Sequence, residues 1–197
     1  ECASMYRKDG PRHMRPIGET EFVNGISAMS ASGKYGKTAI CAGIVGFADL
    51  TMGASVEEVL IAQVSAGNGR FKGIRYGAGY DTSTAINNSH TDPPSGLYND
   101  TIFREGFAKL RQFDLSFEAW LYHTQILDVV SLAEAFPDQK IVLNHLGGPI
   151  GIGPYEGKQK EVFDKWKRSI NALSKHSNVY VKLGGLGMVL NGYQLDK

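Results

Sequence analysis

Cysteine is scarce, with Cys2 and Cys41 the two thiols in 197 residues. Two thiols do not make a disulfide framework. Each lies in or beside an apolar, strand-like stretch, which reads as reduced, buried side chains in a cytoplasmic protein. No apolar run approaches the roughly 18–20 residues that span a bilayer. No basic-then-apolar leader opens the sequence, so neither a membrane nor secretion is expected. An excess of one charge is missing too: 21 basic and 20 acidic side chains leave a net +1. That gives no broad pull toward nucleic acid. The G-x-S-x-G turn that exposes a nucleophilic serine is absent.

What is present is a soluble, globular balance, 42% hydrophobic and 21% charged, in a length that suits one domain over residues 1–197 with a real core. Glycine is plentiful, at 24 residues, and much of it follows apolar runs. Residues 18–36 place Phe22, Ile26 and Met29 at helical spacing, with Glu19 and Glu21 in the first turn. A buried strand is expected over 39–47. A helix follows over 55–67, with Ser55 and Glu58 as a capping box and Gly67 as its stop. Then come a strand (70–76), a polar insertion rich in Gly, Pro and Asn (77–100), a helix (101–113), a strand (115–122) and a helix ended by Pro137 (124–138). The strand 140–145, a charged helix over 156–176 with an apolar side on Val162 and Trp166, and a strand over 178–185 complete the pattern.

Helices and strands therefore alternate, which predicts a parallel sheet with helices outside. A doubly wound sheet and a (β/α)8 barrel both fit. Apart from the insertion, the spacing is near the roughly 30 residues per unit of a barrel. Counting a strand that ends at Glu1, six strands are expected, two short of a closed barrel.

Phosphate loops are poorly supported. Gly36-Lys37-Thr38 matches the end of a P-loop, but Ala31 stands where its first glycine belongs and the stretch precedes a strand. "GGPIGIG" lacks the dinucleotide register, and Pro149 removes an amide. Among the histidines, His13 and His90 lie in polar loops, and His176 suits a helix C-terminus. His123 ("FEAWLYH") and His145 ("KIVLNH") differ, because each follows a strand core. In a parallel architecture the carboxyl ends of strands share the face that carries the site. Two imidazoles there suit a divalent metal, or a pair that polarises a carbonyl and handles protons; the alternative is that each bonds a loop backbone. Arg75 ends its strand on the same face and could hold a substrate carboxylate, or an ion pair with a loop. Lys182 could point into the mouth or outward.

The stretches "RPIGETEFVNGISAMSASGKYG", "CAGIVGFADL", "GRFKGIRY", "WLYHTQ", "IVLNHLGGPIGIGPY" and "NVYVKLGGLGM" together resemble the amidohydrolase-2 family. The resemblance covers nearly the whole chain. It implies a TIM barrel and a hydrolase, with lactonases of sugar acids and dicarboxylates among the relatives. It also implies a possible divalent metal such as zinc, although some family lactonases are said to work without one. On the superfamily pattern, His123 matches the fifth-strand ligand and His145 the sixth. The first-strand His-x-His and the eighth-strand Asp have no match. Strand arithmetic and this inventory agree on a truncated barrel lacking strands one and eight. The expected substrate is a carboxylated or hydroxylated lactone, with His145 and His123 catalytic and Arg75 and Lys182 binding it. A decarboxylase of the same superfamily, or an incomplete barrel without turnover, are the alternatives.

Overall fold

The computed structural model describes residues 1–192. Five helices and five strands alternate: α1 (Ile17–Ala31), β1 (Ile44–Gly46), α2 (Glu57–Gly67), β2 (Phe71–Gly77), α3 (Thr101–Lys109), β3 (Ser116–Trp120), α4 (Ile126–Ala135), β4 (Ile141–Leu143), α5 (Gln159–Leu173) and β5 (Val179–Val181). The strands form one sheet in chain order, as expected when a helical crossover separates each strand from the next. The β1–β2 pair is parallel, with a register shift between Ile44 and Val45. The β4–β5 pair is parallel and regular, Leu143 opposite Val181. Of the sixth expected strand only the last residue, Glu1, falls within the chain, and its nitrogen donates to the Val45 carbonyl of β1 at 2.8 Å.

The residues group into two compact units. One comprises Glu1–Arg75 and Ile102–Phe117. Its core holds Val56, Val59, Leu60, Ile74, Phe103, Phe107 and Phe117, all buried. Phe117 meets Phe103 and Phe107 edge-on, at centroid distances of 6.1 and 5.0 Å, the geometry that aromatic quadrupoles favour. Between α1 and α2 the contact is polar: the Thr20 hydroxyl donates to Gln63 Oε1 at 2.5 Å, and Gln63 donates onward to the Phe47 carbonyl. On α1, Ile17, Gly18, Glu19, Thr20 and Ser27 are buried, while Phe22 and Met29 stand exposed. Helical spacing finds a stripe but does not say which stripe is buried; here the hydrogen bond from Thr20 to Gln63 holds the face toward α2. The capping box also differs. Ser55 donates to the Met52 carbonyl, and α2 follows directly on a helical turn that Asp49 caps through the Thr51 amide. The cysteines are a further correction. Cys2 is exposed and Cys41 half-buried, because both lie in irregular loops and not in strands.

The second unit comprises Tyr76–Thr101 and the chain from Glu118 onward. Leu121, Ile126, Val129, Leu132, Ile141 and Leu143 form its interior. On α5, Val162 is buried and the Trp166 indole donates to the Leu146 carbonyl at 2.6 Å. The polar insertion has apolar anchors in Ile86, Leu97 and Tyr98. Tyr98 donates its hydroxyl to the Tyr76 carbonyl, and Ile86 packs on Tyr122 and Ile150. Among the described residues no helix is long and apolar enough to cross a membrane.

Candidate functional site

Strand β3 sorts its side chains by parity. Phe117 and Ala119 point to one face, so Glu118 and Trp120 point to the other. On that second face the Lys182 ammonium donates to Glu118 Oε2 at 2.6 Å. The Glu118 side chain is nearly buried and that of Lys182 is 46% exposed. The pair therefore sits at a rim, where a second anion or a hydroxyl can still reach the ammonium. Lys182 is held from its backbone as well, its amide donating to the Leu143 carbonyl. This resolves the orientation that the sequence left open: the side chain turns to Glu118.

His145 lies one residue past Asn144 at the end of β4. The chain there makes a left-handed turn through His145, Leu146, Gly147 and Gly148, with φ of 49°, 58°, 75° and 52°. For His and Leu this conformation costs about 1–2 kcal/mol each, and it persists where packing over-determines it. The restraints are visible. Leu146 donates its amide to the Lys182 carbonyl and takes the Trp166 indole on its own. The Gly148 carbonyl accepts from the His123 amide. A Cβ on Gly148 would stand 2.4 Å from the Leu121 carbonyl oxygen. The result sets the imidazole edge-on to Trp120, at 5.4 Å and 80°. Gly185 comes so near that its Cβ would meet the ring at 2.6 Å. Beside it, Asn144 is fully buried, and neither atom of its amide finds a hydrogen-bond partner among the described residues.

His123 keeps other company. Its side chain is buried, and Nδ1 accepts the Ile150 amide at 3.4 Å. The ring meets Tyr155 edge-on at 5.2 Å. Burial first, then the nearby positive charge of Lys165, pushes its pKa down to about 4, with Asp81 partly opposing. The Tyr155 hydroxyl donates to Asp81 Oδ2 at 2.7 Å. Burial and that carboxylate push the phenol up to about 12. Arg75 belongs to the first unit, where its Nε lies 3.9 Å from a Glu1 carboxylate oxygen. His13 and His176 face Glu58 and Glu134.

These residues do not make a metal site by themselves. Among the described residues no three His, Cys, Asp or Glu side chains gather as ligands. In neutral His123 the amide bond to Nδ1 puts the proton on Nε2, which leaves neither nitrogen ready to coordinate. Sequence reasoning missed Glu118, Trp120, Asp81 and Tyr155. A carboxylate and an indole at alternate positions of "SFEAW" were the available signal for the first two. Asp81 and Tyr155 meet across 74 residues, and nothing local in the sequence marks them.

The sequence matches the amidohydrolase family model over residues 37–196. It is 31% identical over 173 residues to an uncharacterized protein, y4mH, of Sinorhizobium fredii (strain NBRC 101917 / NGR234), covering 88% of this chain and 51% of that protein. Two crystal structures of an amidohydrolase from Burkholderia multivorans share the fold at 21% identity. The one with bound zinc gives a TM-score of 0.62 over 85% of this chain and 50% of the other. The one with bound HEPES gives 0.57 over 81% and 50%. The chain spans about half the length of the relatives it matches.

Proposed function

The chain belongs to the amidohydrolase family, and on that premise we propose that the whole protein hydrolyses a cyclic ester, the lactone of a sugar acid or a dicarboxylate. One observation carries the reading: a histidine held in a strained left-handed turn at a strand's carboxyl end, with its ring against Trp120. Such strain gathers at functional sites, and strand ends carry the chemistry in parallel α/β folds.

Lactone opening needs a water that loses a proton as it attacks the carbonyl, and a proton for the alkoxide that leaves. The His145 imidazole does both in sequence, first as base and then as acid. Lys182, fixed by Glu118, takes the substrate's carboxylate or ring hydroxyls. Trp120 offers an apolar wall to the sugar or ring face.

The test uses the full-length protein and a panel of sugar-acid and dicarboxylate lactones, with acid release followed by a pH indicator. His145→Ala is expected to lower kcat/KM by about 100-fold or more, while Lys182→Ala raises KM. The reading fails if no lactone is opened, if His145→Ala leaves turnover intact, or if carbon dioxide is the product.

A further inference from the structure

Between the insertion, the turn at His123 and the start of α5 lies a cavity of about 350 Å³. Asp81, His123, Tyr155, Lys158, Glu161 and Lys165 line it. We propose that this cavity binds a small hydroxy-carboxylate, with His123 Nε2–H and the Lys165 ammonium taking the carboxylate and Asp81 and Glu161 taking the hydroxyl.

The argument begins with the proton inventory. His123 Nδ1 accepts from the Ile150 amide, so the neutral ring carries its proton on Nε2. The residue is almost wholly buried and lines the cavity, so its Nε2–H is a donor that an acceptor seated there can take in place of water. Tyr155 meets the ring edge-on and donates its hydroxyl to Asp81.

Charge then selects the acceptor. Lys165 is close enough to act on His123 electrostatically and is exposed on α5, among the residues that line the cavity. Lys158 adds a second ammonium, anchored on the Pro154 carbonyl. A carboxylate there would meet one neutral donor and one exposed cation, which is a charge-assisted arrangement. The acidic side is equally defined. Asp81 receives the Tyr155 hydroxyl on Oδ2 and the Ser83 amide on Oδ1, and each oxygen keeps a lone pair for a ligand hydroxyl. A plain anion without a hydroxyl would leave those lone pairs unmet and face two carboxylates. The inference does not depend on hydrolysis at His145.

Glycerate is the probe, with acetate and inorganic phosphate as comparisons, added to the protein while the ring nitrogens of His123 are followed by NMR. The free protein should show the Nε2–H tautomer, and glycerate should shift that signal saturably. Lys165→Ala, a surface change on a helix, should weaken glycerate about tenfold, as should Tyr155→Phe by loosening Asp81. His145→Ala should leave binding unchanged. The proposal is overturned by an Nδ1–H tautomer, by no saturable shift with glycerate, by equal binding of acetate or phosphate, or by indifference to Lys165→Ala.

Discussion

Gly185 is placed by its neighbour. Its φ of +75° is one that L side chains rarely adopt, and a methyl group there would stand 2.6 Å from the His145 ring. Gly185→Ala is therefore expected to displace the imidazole and strain the backbone, lowering stability by about 1–3 kcal/mol and activity with it. Thermal denaturation and lactone turnover of the full-length protein read the two effects. His123 makes a pH prediction. Its folded pKa of about 4 lies below the ordinary value of 6.5, so the unfolded chain binds the proton more readily. The stabilisation is whole above about pH 6.5 and drains away as pH falls toward 4. Urea midpoints at pH 7, 5 and 4 should fall across that window, and less steeply in His123→Phe. The sequence made the positions of both histidines legible, because a polar residue ending an apolar run needs no tertiary knowledge. It could not reveal that His145 and Leu146 take left-handed backbone. That follows from the Trp166 indole, the Lys182 carbonyl and the crowded glycines, contacts made by residues distant in sequence.

Elements were more legible than residues. The alternation of periods placed every helix and every later strand close to where it forms, with ends trimmed by a few residues. The exposed side of α1 was not legible, since which stripe faces α2 depends on a hydrogen bond to a residue 43 positions away. Thr20→Val tests that bond. It keeps the shape and leaves Gln63 Oε1 without its donor, so a loss of about 1–3 kcal/mol is expected in the urea midpoint. Gly106→Ala sets two effects against each other. Alanine gains about 1 kcal/mol of helix propensity in α3. Its Cβ, however, would stand 2.3 Å from the Leu50 carbonyl oxygen, a backbone atom that cannot rotate aside. The clash should win and lower the Tm.

At the scale of the molecule, β1 and β5 end the sheet. On β5, Tyr180 and Val181 are exposed, and Leu183 just beyond it is 87% exposed. A strand edge with apolar side chains invites pairing with another chain. A polypeptide of these residues should self-associate as concentration rises, and Val181→Lys should reduce this, as measured by light scattering. The barrel reading came from counting and from resemblance together, and the parallel order of the strands agrees with it. The insertion after β2 has a different standing from the strand ends. It is fastened by a handful of bonds, Tyr122 to the Asn87 carbonyl, Gln125 to Ala78 and Tyr155 to Asp81, while Thr82, Thr84 and Ala85 at its tip are exposed. Mutations at that tip cost little fold, whereas the turn at His145 tolerates almost none. On the proposed function, selection can then alter which molecules are accepted while the turn at His145 stays fixed, and a library confined to Thr82, Thr84 and Ala85, which leaves the buried Ile86 in place, is where new substrate ranges should be found.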